Sequence, residues 1–171
     1  MTARKQAPAP LTFVTARSAE IELAPWGRHW WLSKPELTGT RQLTLVRVTM
    51  RPGAGHNFHH HPAREEIIYV LDGVAEQWVD REKRMLKAGE CAFIPEKVVH
   101  AIFNSSSKPM TFLAILSPAE ADGPFLVDCY DEEPWRSLRP RLGAGPRSKE
   151  KGRPAEPRPA VGASRTRRSR S

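Results

Sequence analysis

Between residues 40 and 118 no window sustains an amphipathic helix of ten residues; the dominant rhythm is two-fold. QLTLVRVTM (42–50), EIIYVL (66–71), AEQWV (75–79), ECAFI (90–94), HAIFN (100–104) and MTFLAIL (110–116) are short, rich in β-branched and aromatic residues, and often alternate. Turn-forming stretches divide them: RPGAG at 51–55, LDG at 71–73, KAGE at 87–90, PEK at 95–97 and NSSSKP at 104–109. Strands this short and this closely spaced can bury their apolar faces only by closing on one another. The expectation is an all-β fold, a sandwich or small barrel.

Charge locates the body of the protein. Residues 136–171 hold 12 Lys and Arg against Glu150 and Glu156, a net of +10, while residues 1–135 carry a net of −2. The high isoelectric point therefore belongs to the end of the chain rather than to the β-rich part. That end, rich in Pro, Gly, Ser and Arg and poor in large apolar residues, cannot offset the entropy of ordering itself. The division predicted is a flexible arm at 1–10, a folded domain at 11–135 with its core at 40–118, and a disordered basic tail at 136–171. RTRRSRS in that tail could neutralise phosphates without sequence specificity; nucleic acid enters only there, and the commoner role of such a tail is solvated charge.

The opening residues lack a signal peptide's apolar segment, and the longest unbroken apolar run, FLAIL at 112–116, is far short of the ~20 residues of a membrane span. A cytoplasmic protein with no membrane partner is expected. Cys91 and Cys129 make no disulfide framework, and Cys91, inside CAFI, is expected in the core. Trp26, Trp30 and Trp31 are expected to pack an N-terminal segment on the barrel or at a subunit contact.

The chemistry concentrates in HNFHHHPAREE at 56–66. If 58–61 is extended, His59 and His61 share one face and His60 takes the other. Two imidazoles about 7 Å apart on a strand can converge on one ion, with a carboxylate from the next strand and a third imidazole completing an N/O site. His100 is the only histidine downstream. Alternation leaves the carboxylate open, because Glu66 with Ile68 and Val70, and Glu65 with Ile67, Tyr69 and Leu71, both lie on apolar faces.

Gly53, His59, His61, Glu66 and Gly73 stand at the spacing G-x5-H-x-H-x4-E-x6-G, and Gly89, Pro95, His100 and Asn104 follow after a spacer of 15 residues, 74–88. This pattern resembles the two motifs of the cupin superfamily, in its small single-domain form. Lys97 departs from it, standing where the family has a glycine that eases a tight turn.

The resemblance implies a jelly-roll β-barrel, and a metal site formed by His59, His61, Glu66 and His100; the six-residue count to Gly73 selects Glu66 and leaves Glu65 as its outward neighbour. His56 and His60 have no family role and are expected at the surface or beside the ligands. One divalent transition metal (Fe, Mn, Ni, Co or Zn) is implied, with two positions open to a small-molecule substrate. The functional expectation is a metal-dependent, dioxygenase-like or isomerase-like enzyme in which Glu66 doubles as catalytic base. The alternative is a non-catalytic cupin that senses or binds a small molecule or metal. Ile68, Val70 and Phe93 are expected to line the pocket. Small cupins commonly pair as homodimers through an edge strand, and 125–129 is a further strand expected at that contact.

Overall fold

The computed structural model describes residues 9–139. Within them eleven strands form two antiparallel sheets. They are β1 Glu20–Ala24, β2 Gly27–Ser33, β3 Thr44–Met50, β4 Gly55–His60, β5 Glu65–Asp72, β6 Val74–Val79, β7 Glu82–Lys87, β8 Cys91–Ile94, β9 His100–Phe103, β10 Met110–Ser117 and β11 Val127–Asp128. The larger sheet runs β1-β2-β3-β10-β5-β8 and the smaller β11-β4-β9-β6-β7. Two four-residue helices, α1 Pro35–Thr38 and α2 Trp135–Leu138, lie outside the sheets. Among the described residues no helix is long and apolar enough to cross a membrane.

The six expected strands all form, and their two-fold rhythm sets which face meets the interior. In β3 and β10 burial alternates along the whole strand, and Val46, Val48, Phe112 and Ala114 turn inward. Phe112 stands between Val48 and Val70, and Ala114 between Val46 and Ile68, so these side chains meet as cross-strand neighbours in one apolar core. In β5, Glu66 is the polar member of the inward row that continues with Ile68 and Val70.

In the middle of the smaller sheet, β9 is buried on both faces. His100 and Ile102 of β9 face the interior, whereas Ala101 and Phe103 pack outside with Phe58 and Trp78 under Tyr130, Trp135 and Leu138. The C-terminal part of the described chain thus covers this sheet's outer face. Residues 136–138, assigned to the tail on composition, belong to α2, and Arg139 binds Glu76 at 2.9 Å and stacks 4.1 Å from the Phe103 ring. Apolar contacts from Trp135 and Leu138 hold what composition alone could not. The expectations for 1–8 and for 140–171, polyanion binding included, lie outside the described residues.

Two further expectations are corrected. Cys91 is exposed, as is Phe93, because the inward row of β8 is Ala92 and Ile94; Phe93 therefore does not line the cavity described below. The strand expected at 125–129 is two residues long and pairs with the end of β4, Val127 against His60 and Asp128 against His59.

Turns hold the motif residues. Gly73 has φ +81, and a Cβ there would stand 2.8 Å from the Cβ of Met110, so neither conformation nor space admits a side chain. Lys97 takes φ +65, the left-handed conformation that the family's glycine would supply. The turn is retained despite the lysine, and the Lys97 amide donates to the His61 carbonyl at 3.0 Å, tying the turn to the residue that follows β4. Asn104 is fully buried and joins three segments: its amide nitrogen donates to the carbonyls of Met50 (3.0 Å) and Lys108 (2.8 Å), and its own backbone carbonyl accepts from Gly53 at 2.8 Å.

Candidate metal centre

His59 is the last residue but one of β4, His61 follows the end of that strand, Glu66 is the second residue of β5 and His100 opens β9. Two of the elements belong to the smaller sheet and β5 to the larger, so the four side chains meet where the sheets face each other. All four are buried, and one ligand atom from each lies within 4.8 Å of every other. Ring centroids are 4.2 Å apart for His59 and His100, 5.1 Å for His59 and His61, and 5.2 Å for His61 and His100.

Backbone contacts fix how each imidazole presents itself. Nδ1 of His59 lies 2.7 Å from the Asn57 carbonyl, that of His61 2.6 Å from Phe125, and that of His100 3.0 Å from Val98. A carbonyl can only accept, so Nδ1 carries the proton in each ring and Nε2 is left with a lone pair. Glu66 Oε2 faces these nitrogens, 2.8 Å from His100 Nε2 and 3.4 Å from His61 Nε2.

Burial works against ionising Glu66, and only a proton on Nε2 of His100 or His61, donated to the carboxylate, would lower its pKa in return. His59 is kept neutral well below the ordinary imidazole value, first by burial and then by the neighbouring His56 and His100. With Nδ1–H already donated to carbonyls, a neutral ring meets the carboxylate lone pair to lone pair. Glu66 Oε2 and His100 Nε2 accordingly have no hydrogen-bond partner although buried. A cation at the common point satisfies all of them at once. Ligand atoms bound at about 2.1 Å and at right angles stand about 3 Å apart, close to the 2.8 and 3.4 Å of Glu66 Oε2 from His100 and His61. The donor set and its geometry therefore suit a divalent metal ion, and imidazole with carboxylate suits the transition series.

A cavity of about 290 Å³ opens beside the quartet. Its walls are mainly apolar, with Val46, Val48, Ile68 and Phe112 from the core. Ile68 lines it as expected, whereas Val70 is buried in the core below it. Glu65 is exposed, in keeping with its assignment as the outward neighbour.

Sequence reasoning missed the part of the cavity built by the N-terminal strands. His29 and Trp31 stand opposite Val48 and Val46 on the inward face of β2, and Trp26 precedes them. The alternation of GRHWWLS was the available signal, with His29 and Trp31 two apart. Trp26 stacks on His56 at 4.4 Å with planes 12° apart, and His56 stacks in turn on His59 at 4.0 Å. His56 is thus part of the wall beside a ligand, and burial pushes it down to about 3 despite the opposing charge of Glu66. His60 does not line the cavity.

Comparison with known proteins agrees with this architecture. The family model described as Cupin domain matches residues 46–116. The polyketide synthase CurC of Streptomyces cyaneus is 33% identical over 127 residues, covering 74% of this chain and 80% of CurC. The chain belongs to the cupin superfamily. The uncharacterized protein MJ1618 of Methanocaldococcus jannaschii is 32% identical over 80 residues, 47% of this chain and 63% of that protein, so the cupin matches less than two thirds of this relative's length. Among solved structures, oxalate decarboxylase of Bacillus subtilis, described with Mn(II) centers, superposes with a TM-score of 0.56 at 22% identity over 66% of this chain and 30% of that one; at that identity it speaks for the fold.

Proposed function

We propose that this cupin is a metal-dependent enzyme, dioxygenase-like, that acts on a small enolisable compound presenting two neighbouring oxygen atoms. His59, His61, Glu66 and His100 would hold one divalent transition ion. The observation that carries the reading is the buried carboxylate of Glu66 facing imidazole nitrogens whose protons are already committed to the backbone. When bound, such an ion supplies a Lewis acid for the oxygens of a small ligand.

The remaining chemistry falls to the chain. Apolar walls exclude water around the quartet and strengthen its electrostatics. Burial raises the affinity of Glu66 for a proton, which favours it as a base. A Glu66 that swings off can take the proton from the carbon between two carbonyls and keep it on Oε2. The name of CurC, polyketide synthase, supports this substrate class, since chains of alternating carbonyls are acidic at that carbon. B. subtilis oxalate decarboxylase, a cupin-fold neighbour described with Mn(II) centers, makes Mn(II) a natural first ion to test. The proposal includes a cytoplasmic homodimer: Ile67, Leu71 and Phe93 leave apolar surface on the larger sheet, and sedimentation measures the pairing.

The test is metal analysis of purified protein followed by oxygen uptake with a panel of 1,3-dicarbonyl compounds. About one ion per chain with metal-dependent oxygen consumption is expected. Metal retained with no turnover would make the protein a binding module, and a chain that retains none of Fe, Mn, Ni, Co or Zn sinks the reading.

A further inference from the structure

Apart from the quartet, the described residues that line the cavity include one carboxylate, Glu22 of β1, and neither Lys nor Arg. Register puts Glu22 there. It pairs with His29, His29 with Val48 and Val48 with Phe112, so the carboxylate ends a row of side chains that faces the cavity. Because β1 is the edge of the larger sheet, Glu22 ends that row on the solvent side and is exposed rather than buried. Along the same sheet β1 lies four strands from β5, which carries Glu66, so the two carboxylates stand well apart.

Glu22 is held where it stands. The Trp31 indole N–H donates to its Oε2 at 2.9 Å, a charge-assisted bond. A carboxylate offers about four lone-pair sites, of which the indole takes one. Neighbouring cations are committed elsewhere. Lys34 lies 5.4 Å from the Trp31 ring but is bound to Glu20 at 2.8 Å, and Arg64 sits 4.8 Å from the Phe125 ring without lining the cavity. Between Glu22 and the quartet the wall is apolar, with Val46, Val48, Ile68 and Phe112.

We infer that Glu22 selects the ligand by the charge of its far end. The ligand presents two neighbouring oxygens to the quartet, an apolar middle to the walls and a hydrogen-bond donor, ammonium or hydroxyl, to Glu22. Ligands with an anionic far end are rejected. The inference rests on the chelating site proposed above and makes Glu22 a specificity-determining residue. The reason is one of sign: an accessible carboxylate attracts a donor and repels a second anion. The apolar walls around it offer an anionic group no compensating partner.

The test uses the full-length chain loaded with zinc, which is redox-silent, with binding followed by calorimetry. The probes are straight-chain hydroxamates of matched length, which share a bidentate oxygen pair and end in ammonium, hydroxyl or carboxylate. The ammonium probe is expected to bind the wild-type chain about tenfold more tightly than the carboxylate probe, because an exposed charge pair is worth a few-fold in either direction. The hydroxyl probe should fall between them. Glu22→Gln keeps an acceptor for the Trp31 indole and should bring the ammonium-to-carboxylate ratio near unity, and Glu22→Lys should invert it. Glu82→Gln, which removes an exposed carboxylate of β7 outside the cavity, should leave the ratio as in wild type. Zinc content and melting temperature of each variant establish that the site and fold are intact. A wild-type ratio near unity or in favour of carboxylate, or a ratio that Glu22→Gln leaves unchanged or Glu82→Gln collapses equally, overturns the inference. Affinity for the hydroxyl probe that is unchanged by removing zinc overturns the chelating reading instead, and the ratio still reports on Glu22.

Discussion

The floor and the wall of the cavity are made under different rules. On the floor, three imidazoles are each tethered through Nδ1 to a main-chain carbonyl, and the carboxylate that faces them comes from the opposite sheet. On the wall, Trp26, His56, His29 and Trp31 are held mainly by ring against ring, with the Trp31–Glu22 hydrogen bond as a polar tether at the far end. Directional contacts fix an atom's position to a fraction of an ångström, while stacked faces can slide at little cost. The floor is thus suited to one demanding geometry, and the wall to small adjustments of its rings.

The sharpest way to break this contrast is to remove a floor ring. His100→Ala should weaken metal binding by more than about a hundredfold, since even residues supporting a ligand from behind commonly cost 10- to 100-fold; His60→Ala should leave it unchanged, with metal content after dialysis as the measure. A milder cut uses adjacent carboxylates. Glu66→Gln is expected to lower metal affinity about tenfold or more, because a neutral amide oxygen replaces the carboxylate of the quartet. Glu65→Gln, exposed, should stay within about 0.5 kcal/mol of wild-type stability and keep its metal. Equal effects at 65 and 66 would undo the assignment of the ligand.

A wall substitution should sort the other way. Trp26→Ala removes a half-buried ring that packs on the core and on His56, and should cost about 2 kcal/mol in urea denaturation, less than the 3–5 kcal/mol of a fully buried aromatic. Its metal content should remain that of wild type; loss of metal would mean the wall also positions His59 through His56. The smallest effect belongs to the turn behind the floor. Lys97→Gly relieves a left-handed lysine and should raise stability by about 0.5 kcal/mol, the relief being partly offset by a more flexible unfolded chain. A lower denaturation midpoint for this variant would show that the lysine side chain contributes more than its backbone costs.

The same contrast explains what could be read from the chain alone. Floor residues occupy fixed spacings because each must arrive from a strand end at a set distance from a turn, so His59, His61, Glu66 and His100 were legible together once Gly53, Gly73, Gly89 and Asn104 framed them. Alternation by itself could not separate Glu65 from Glu66, since the outward row of Ile67, Tyr69 and Leu71 is as apolar as the inward one. Wall residues share only the two-residue alternation of β2, with no longer spacing to frame them. Trp26 and His29 reach the cavity because β2 pairs with β3, a contact between segments whose register no local pattern reveals. β7 was missed for a related reason: EKRMLK is mostly exposed, and its strand state comes from pairing with β6. Cys91 and Phe93 were placed inside because CAFI is apolar throughout, and only the register of β8 against β5 shows which half of it faces out. The short helix at 135–138 was hidden by the Pro- and Arg-rich composition of the residues C-terminal to it.

The tethered rings carry one more consequence. Their orientation is set by peptide groups of the finished barrel rather than by the ion, so chelation should empty the centre without dismantling it, and reloading should run at the pace of ion entry and dehydration instead of refolding. Which element such a protein carries then reflects the supply it last encountered.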